Sequence, residues 1–503
     1  MYIVTAEEMY EIDRYAIKKG GIEGKILMDN AGSQVAQRIV QTYDTNRKMA
    51  IVAGGGNNGG DGFVIARYLA EYGYEVTVFQ LVADHKIKGD AAFHKQCWLN
   101  TSDKLTHVTD SHQLKQRLVD FDVVIDAILG IGVSGAIREP IRSMIDVINH
   151  LPIEKISVDI PSGLPANDGI HVDQVIQANK TYIIEAPKET AFCEDTSIYY
   201  GEWETVKIGI PQTAYVKHSS KKRWCKKYVR ATFPKRDKYA HKGSNGRGLV
   251  IGGQLTMPGA IVLAARAALR SGAGLITVAT VKENIPIVSS SCIEATYHLL
   301  PNLTNRLTDR DLEAFEKIDA IAVGMGIGRE DSQLLSDLIE KLDKPLLIDA
   351  DGLYHAKPLL EPLLQHKAPV VITPHYGEMA MLTDKTVPEV KRSPFSISRQ
   401  FAEKHQLYVV LKGKYTVITA PDGEQIVSDQ GNAGLAKGGT GDVLSGILLT
   451  MVMQHKELLS ALANGCYLHG KSADYLVEED HTERDLLATD VIEGLSQVFR
   501  TLS

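Results

Sequence analysis

The sequence predicts two successive α/β domains, each a three-layer sandwich with a mostly parallel sheet between layers of helices. Three observations carry that expectation. Short apolar runs rich in Val and Ile recur along the chain, helical stretches separate them, and the alternation fades once after Pro211 before restarting. Parallel strands read as continuous β-branched runs because crossover helices cover both of their faces. The 503 residues also exceed one ordinary core, at roughly 100–200 residues per domain.

In the first half, residues 49–54 read as a strand that passes through a glycine loop into a helix over 63–71, and 75–82 as the next strand. Residues 121–128 (FDVVIDAI) and 156–160 (ISVDI) are short apolar strands, each ending at an acid and a turn, with a helix over 141–151 between them. Ligands of such sheets sit at the carboxyl ends of the strands. The basic run KHSSKKRWCKK (217–227) reads as a solvated linker, and the domains are divided within it, as 1–220 and 221–503. The pattern then restarts. Strands over 248–253 and 275–280 flank an Ala-rich helix over 258–271 with Pro258 in its first turn. Further strands are expected at 320–323, 345–348, 370–373 and 408–412, and the chain from Val443 onward is helical in pattern. The halves share no residue-level period, so this is not a repeat protein.

Composition narrows the function classes. A net charge of -7, spread along the chain, argues against a nucleic-acid groove, which needs clustered Lys and Arg. The five cysteines (Cys97, Cys193, Cys225, Cys292, Cys466) are scattered and form no CxxC pair. Neither a disulfide framework nor a zinc site is expected, and a reducing cytoplasmic setting fits. The acidic N-terminal segment lacks the basic start and apolar core of a signal peptide, and no apolar run approaches the ~18–20 residues that span a bilayer.

The strongest local signal is GNAGLAKGGTGD (431–442) running into a helical stretch. Glycines before a helix let backbone N–H groups converge on an anion, with the helix dipole adding favourable charge. Asp442 would repel a phosphate there unless it serves as a base that takes a proton from a hydroxyl during phosphoryl transfer. The plainer alternative is a glycine turn in which Asp442 caps the helix. Three more strand ends carry glycines or acids: VGMGIG (323–328), DADG (349–352) and TPHYGE (373–378), with LKGKYT (411–416) just upstream of the anion loop.

The segments HKGSNGRGLVIGG (241–253), VGMGIG, DADGL, TPHYGEM, LKGKYTVI and GNAGLAKGGTGDVLSGIL, in this order, resemble the ADP- or ATP-dependent NAD(P)H-hydrate dehydratases of the ribokinase-like superfamily. The resemblance implies a ribokinase-like sandwich with Asp442 as catalytic base. It implies a nucleotide held by Lys412, Gly413, Lys414, Tyr415, Thr416 and Gly441, and a hydrated cofactor lined by Gly259, Ala260, Gly326, His375 and Asp442. Met325, where a proline is common, and Gly352, where a bulkier residue is frequent, depart from the pattern without removing any group given a role.

In the first half, GGGNNGGDG (54–62) contains the dinucleotide pattern Gly54-x-Gly56-x-x-Gly59, weak evidence by itself. Asp61 stands where a pyrophosphate would be cradled, and no clear ribose-binding acid ends the next strand, so a hydride-transferring enzyme is the poorer reading. With ILMDNAG (26–32), DAILGIG (126–132) and VDIPSG (158–163), the string resembles the NAD(P)H-hydrate epimerase domain, a Rossmann-like sandwich. That resemblance implies a catalytic Asp159 and a potassium ion held by Asn58, Asp126 and Ser162. It implies substrate contacts from Asn57, Asn58, Gly59, Gly60, Asp61, Gly130, Ile131, Gly132, Val133, Ser134, Gly135, Ala136 and Asp159. Ile131 departs from a small hydroxylic residue often found there.

Two such domains on one chain are similar to the bifunctional NAD(P)H-hydrate repair enzymes. The implied reaction interconverts the R and S hydrates of NADH or NADPH and dehydrates the S form with ADP or ATP, releasing AMP or ADP and phosphate, with K+ and Mg2+ as cofactors. The expected partners are these small molecules, with no nucleic acid or membrane, in a homo-oligomer. The alternatives are a vitamin-precursor kinase carrying a nucleotide-binding N-terminal module, and a first half that binds without catalysing.

Overall fold

A computed structural model describes residues 1–330 and 332–502. The chain divides into two units, Tyr2–Ser220 and Lys221–Ser503 with Met1.

The N-terminal unit opens on a short strand β1 (Tyr2–Ile3) and builds its sheet from seven others: β2 (Met49–Ala53), β3 (Val76–Gln80), β4 (Leu105–His107), β5 (Val123–Ala127), β6 (Glu154–Val158), β7 (Lys180–Ile184) and β8 (Glu202–Val206). All pair in parallel, in the order β4-β3-β2-β5-β6-β7-β8. All five residues of β2 are buried because both faces are covered. Met49, Ile51 and Ala53 pack under the helices Gly24–Thr42, Asn57–Glu71 and Gly89–Thr101, while Ala50 and Val52 pack under Ser111–Leu118 and Ile141–His150. The chain leaves β2 toward one edge and returns at β5, so the crevice beyond those two strand ends is a topological switch point.

Two expectations need correction here. The helix after β2 starts at Asn57, not 63, so most of the glycine string is helical. Glycine stands in these turns because the neighbours leave no room. A Cβ on Gly59 would lie 2.2 Å from the Gly54 carbonyl oxygen, and one on Gly60 would lie 2.5 Å from the Met28 sulfur. Strands β4, β7 and β8 went unread. β4 and β8 are edge strands with half-exposed, polar sequences (LTH, EWETV) that lack the apolar run of a buried strand.

The C-terminal unit contributes β9 (Lys221–Arg223), β10 (Arg247–Ile251), β11 (Leu275–Val281), β12 (Thr296–Leu300), β13 (Ala320–Val323), β14 (Leu346–Ile348), β15 (Val370–Ile372), β16 (Tyr408–Leu411), β17 (Thr416–Thr419) and β18 (Gln425–Ser428). Their order is β9-β18-β17-β16-β15-β14-β13-β10-β11-β12, parallel except for the two antiparallel pairs that β17 makes. The basic run is therefore not a solvated linker. Its centre is β9, with Lys221 buried, Lys222 paired to Glu424 at 2.8 Å and Arg223 to Asp429 at 2.7 Å. Acids around β18 neutralise charges that the sequence shows only as a run. Strands β12, β17 and β18 were likewise unread.

Helices Pro258–Arg270, Thr440–Gln454, Leu458–Glu479 and Ala488–Leu502 cover one face of this sheet. The first two touch backbone to backbone, since a Cβ on Gly446 would lie 2.0 Å from the Ala264 carbonyl oxygen. Gly446→Ala is expected to force them apart and cost ~1–3 kcal/mol, as overpacking does. A lowered denaturation midpoint of the purified chain checks this.

Candidate functional site

A cavity of about 1250 Å³ occupies the β2/β5 crevice of the N-terminal unit. Asn57, Asn58 and Asp61 reach it from the first turns of Asn57–Glu71, Gly130 to Ala136 from the loop after β5, and Asp159 from the end of β6. Gly59 and Gly60 do not line it. They are buried packing positions.

Asp126 and Ser162 lie behind the wall, both fully buried. Ser157 Oγ (2.8 Å) and Ser162 N (2.9 Å) donate to Asp126 Oδ2, and Ser162 Oγ donates to Oδ1. Burial raises the Asp126 carboxyl, and these hydrogen bonds offset part of the rise. Ser162 Oγ also accepts from Leu129 N at 2.8 Å, and the Leu129 carbonyl accepts from Asn58 Nδ2 at 2.8 Å. The three residues expected to hold a cation are thus joined in one network, and among the described residues Asn58 Oδ1 is buried in it without a hydrogen-bond partner.

Asp159 has a left-handed backbone, φ 67°. Such a residue costs of order 1–3 kcal/mol and persists where its surroundings over-determine it. Here Asp159 N donates to the Tyr182 carbonyl at 2.8 Å, Ile184 N donates to Asp159 Oδ1 at 3.1 Å, and Lys188 Nζ forms a close ion pair with the same oxygen. The Lys188 side chain is 1% exposed. Tyr10, Asp13 and Lys188 also line the cavity and were missed from sequence. Burial and then Asp159 lift Asp13 to about 7, with Lys188 pulling the other way. Burial, then Asp159 and Asp13, hold Asp61 well above the ordinary carboxyl range.

In the C-terminal unit, Gly439 (φ 92°) caps the helix Thr440–Gln454 in a left-handed conformation that its lack of a side chain permits. Gly438 before it is exposed, with no atom near the place of its missing Cβ. Asp442 lies in the first turn and makes no ion pair among the described residues. Burial first, then Asp349, pushes its carboxyl up to about 7 against the pull of Lys412.

Lys412 was expected to hold the nucleotide, yet it is committed to Asp349 at 2.7 Å, with Glu378 at 4.0 Å. Burial opposes its charge, but these acids outweigh that and raise its pKa. Asp349 is buried, and burial would raise it. Lys412 and the Ser445 hydroxyl, which donates at 2.6 Å, bring it below the usual range instead. A side chain on Gly441 would begin 3.6 Å from Lys412 Nζ, so the ammonium lies beside the anion loop. Gly413 and Lys414 are exposed in the β16–β17 turn, followed by half-buried Tyr415 and Thr416.

His375 caps the helix Tyr376–Thr383, its Nδ1 accepting from Gly377 N at 3.0 Å and Glu378 N at 3.1 Å. Its Nε2 lies 3.5 Å from the Glu378 carboxylate. Gly326 (φ 64°) sits under Met257 and Ala260, the built Cβ falling 3.0 Å from Met257 Cβ and 3.4 Å from Ala260 Cβ, and Gly259 is open. Asp349, Glu378 and Ser445 were missed as site residues. DADG and TPHYGE marked the first two as strand-end acids, but their partners come from distant segments.

The fold and these residues define a two-unit α/β enzyme with a crevice at the strand switch point of one unit and a glycine loop leading into a helix in the other. A family profile described as YjeF-related protein N-terminus matches residues 24–190, and one described as NAD(P)H-hydrate dehydratase matches 248–497. The bifunctional NAD(P)H-hydrate repair enzyme Nnr of Moorella thermoacetica is 35% identical across 100% of this chain and 97% of its own length. The Escherichia coli enzyme of that name is 33% identical over 98% and 93%. The chain belongs to the family of bifunctional NAD(P)H-hydrate repair enzymes. Among solved structures, the ADP/ATP-dependent NAD(P)H-hydrate dehydratase of Bacillus subtilis, co-crystallised with ATP/Mg2+, is 34% identical. It covers 56% of this chain and 99% of its own, with a TM-score of 0.50. No described helix is long and apolar enough to cross a membrane.

Lys188→Met would leave the Asp159 carboxylate, 14% exposed on the cavity wall, without its cation, and is expected to lower stability. Adding Asp159→Asn is expected to recover part of that loss, read as a coupling energy from urea denaturation of the two single variants and the double.

Proposed function

We propose that residues 1–220 epimerise the R and S hydrates of NADH and NADPH, and that residues 221–503 dehydrate the S form using ADP or ATP, releasing AMP or ADP and phosphate. The observation that carries the second reaction is Asp442, a carboxyl raised to about 7 in the first helical turn after an exposed glycine loop. Asp442 takes the proton of the ring hydroxyl while that oxygen receives the terminal phosphoryl group. Phosphate then leaves carbon 6 and a proton leaves carbon 5, restoring the ring double bond. The backbone N–H groups of Gly439 to Gly441 stabilise the charge developing on the phosphoryl oxygens. Lys412 to Thr416 and Gly441 hold the nucleotide, with Lys412 acting as a fixed charge in its pair with Asp349. Gly259, Ala260, Gly326 and the Nε2 edge of His375 line the hydrated cofactor.

Mg2+ would enter with the polyphosphate, whose own oxygens would supply most of its ligands, with Asp442 and its neighbours Asp349 and Asp351 the nearest acids. In the first unit, Asn58, Asp126 and Ser162 would hold a potassium ion. The unpartnered Asn58 Oδ1, the carboxylate and the hydroxyl are oxygen donors fitting a hard cation. Bound there, the ion would supply positive charge beside the loops that grip the substrate. Asp159 moves the proton of the ring hydroxyl as the hydrate opens and recloses. A cytoplasmic, homo-oligomeric enzyme is the accompanying proposal, supported by five scattered free thiols for the compartment.

Hydrated NADH mixed with the purified chain, Mg2+ and either nucleotide is expected to regain near-ultraviolet absorbance with release of free phosphate. No recovery with ADP or ATP rejects the dehydratase reading, and a stable phosphorylated product points to the precursor kinase. Because the base must be ionised, the dehydration rate should rise as pH passes upward through about 7. Asp442→Asn should lower it ~10²–10⁴-fold. Asp442 binds its proton more tightly in the folded chain, so its contribution to stability is present at low pH and lost as pH rises through about 7. The Asn variant should therefore melt higher than wild type in mildly alkaline buffer. Potassium should raise the melting midpoint above that in sodium at equal ionic strength, and Asp126→Asn should remove the difference.

A further inference from the structure

We propose that Asp13 is the second acid–base group of the epimerase site, giving a proton to the ring nitrogen as the hydrate opens and taking it back as the ring closes. This rests on the epimerase reading above. Asp13 lies on the helix Ala6–Lys18, before the first residue matched by the N-terminal family profile.

The helix is held in place at its start by a capping box, with Glu8 N on Thr5 Oγ1 at 3.1 Å and Thr5 N on the Glu8 carboxylate at 2.8 Å. Met9, Ile12 and Ala16 anchor it in an apolar cluster with Ala186 and Ile208. Met9, Tyr10, Asp13 and Ile17 recur at helical spacing and all line the cavity that Asp159 enters from the end of β6. Among the described residues the Asp13 side chain has no hydrogen-bond partner or ion pair. Nothing in the fold uses this carboxyl, yet it is kept on the cavity wall.

The ionisable groups that face it are Asp61, Asp159, Lys188, Glu185 and the Tyr10 and Tyr215 phenols. Lys188 pairs with Asp159 and not with Asp13, so one carboxyl has a cation against it and the other has none. Burial and then Asp159 lift Asp13 to about 7, near where a group that must both give and take a proton works best. Asp61 is deeper still, and burial, then Asp159 and Asp13, hold its carboxyl well above the usual range.

Opening a ring at a carbon bearing both hydroxyl and nitrogen needs two proton movements. The Asp159 carboxylate removes the hydroxyl proton, the carbonyl forms at carbon 6, and the carbon–nitrogen bond breaks with its electron pair passing to nitrogen. The Asp13 carboxylic acid protonates that nitrogen. Rotation about the single bond between carbons 5 and 6 presents the other face of the carbonyl. The nitrogen re-adds there, its proton returns to Asp13, and the oxygen takes the proton from Asp159. Both carboxyl groups end as they began.

The test follows interconversion of purified R-NADHX by chromatography, with the whole chain and no nucleotide. Asp13→Asn is expected to lower kcat by ~10²-fold or more with KM changed less than about 2-fold. Wild-type activity should fall as pH rises above about 7, the point at which Asp13 loses its proton, and the Asn variant should lack that limb. Asp13→Glu, which keeps a carboxyl should Asn loosen the helix, is expected to recover part of the rate with the limb displaced. A wild-type rate in Asp13→Asn, a loss confined to KM, or no recovery in a folded Asp13→Glu overturns the role of Asp13. Absence of interconversion in wild type instead overturns the epimerase reading itself.

Discussion

Asp126 and Asp349 are carboxylates with no access to water, each at or just past the carboxyl end of a parallel strand, and each half of the chain is arranged around one of them. A carboxyl taken out of water must find donors inside the protein. Asp126 finds them in Ser157 and Ser162; Asp349 finds them in Lys412 and Ser445. In both units one donor is a serine standing three residues after a cavity-facing or loop-facing acid, Asp159 before Ser162 and Asp442 before Ser445. Satisfying the buried group therefore fixes the segment that carries the working one. The same arrangement recurs on two sheets of different strand order, without any repeat in the sequence.

Cations then sort the acids into two kinds. Lys188 is committed to Asp159, and Lys412 to Asp349. Asp13 and Asp442 have no such partner and are pushed to about 7 by burial. Neighbouring carboxyls whose surroundings drive their affinities for protons apart divide acid from base. In the first unit the paired acid faces the cavity, and in the second the unpaired one faces the glycine loop. A buried Lys–Asp pair contributes little to net stability once desolvation is counted. Here its acid adds to the burial that raises the neighbouring carboxyl, and its lysine opposes that rise.

Most of the central parallel strands of both sheets were legible in the sequence because burial on two faces favours runs of apolar, β-branched residues, as in 123–127 or 320–323. The edge strands β4, β8 and β12 were not, because half their surface is wet and polar residues are tolerated there, and the interior strands β7, β17 and β18 went unread as well. Lys221 shows the limit of reading charge as exposure, since its neighbours are neutralised by acids some two hundred residues away. The glycine string of the N-terminal unit was noticed but read as a loop. Helix propensity disfavours glycine, and tertiary packing against Gly54 and Met28 overrides it. Local motifs brought out Asp442, Asp159 and the Gly130 loop. Asp13 and Lys188 stand in no glycine or proline context, so only the fold brings them to the cavity. His375 was read as lining a site, and its ring nitrogen at Nδ1 proves to be engaged in ending a helix backbone.

The left-handed turn at Asp159 bears on which residues could ever stand there. Asp and Asn tolerate that geometry, glycine adopts it freely, and β-branched side chains are excluded by their own crowding against the backbone. Over long spans of sequence drift, this position is filtered first by the shape of the main chain and only afterwards by proton chemistry. A lineage that abandoned the reaction would still be steered toward Asn or Gly there, leaving a small polar or bare residue as the trace of a lost activity.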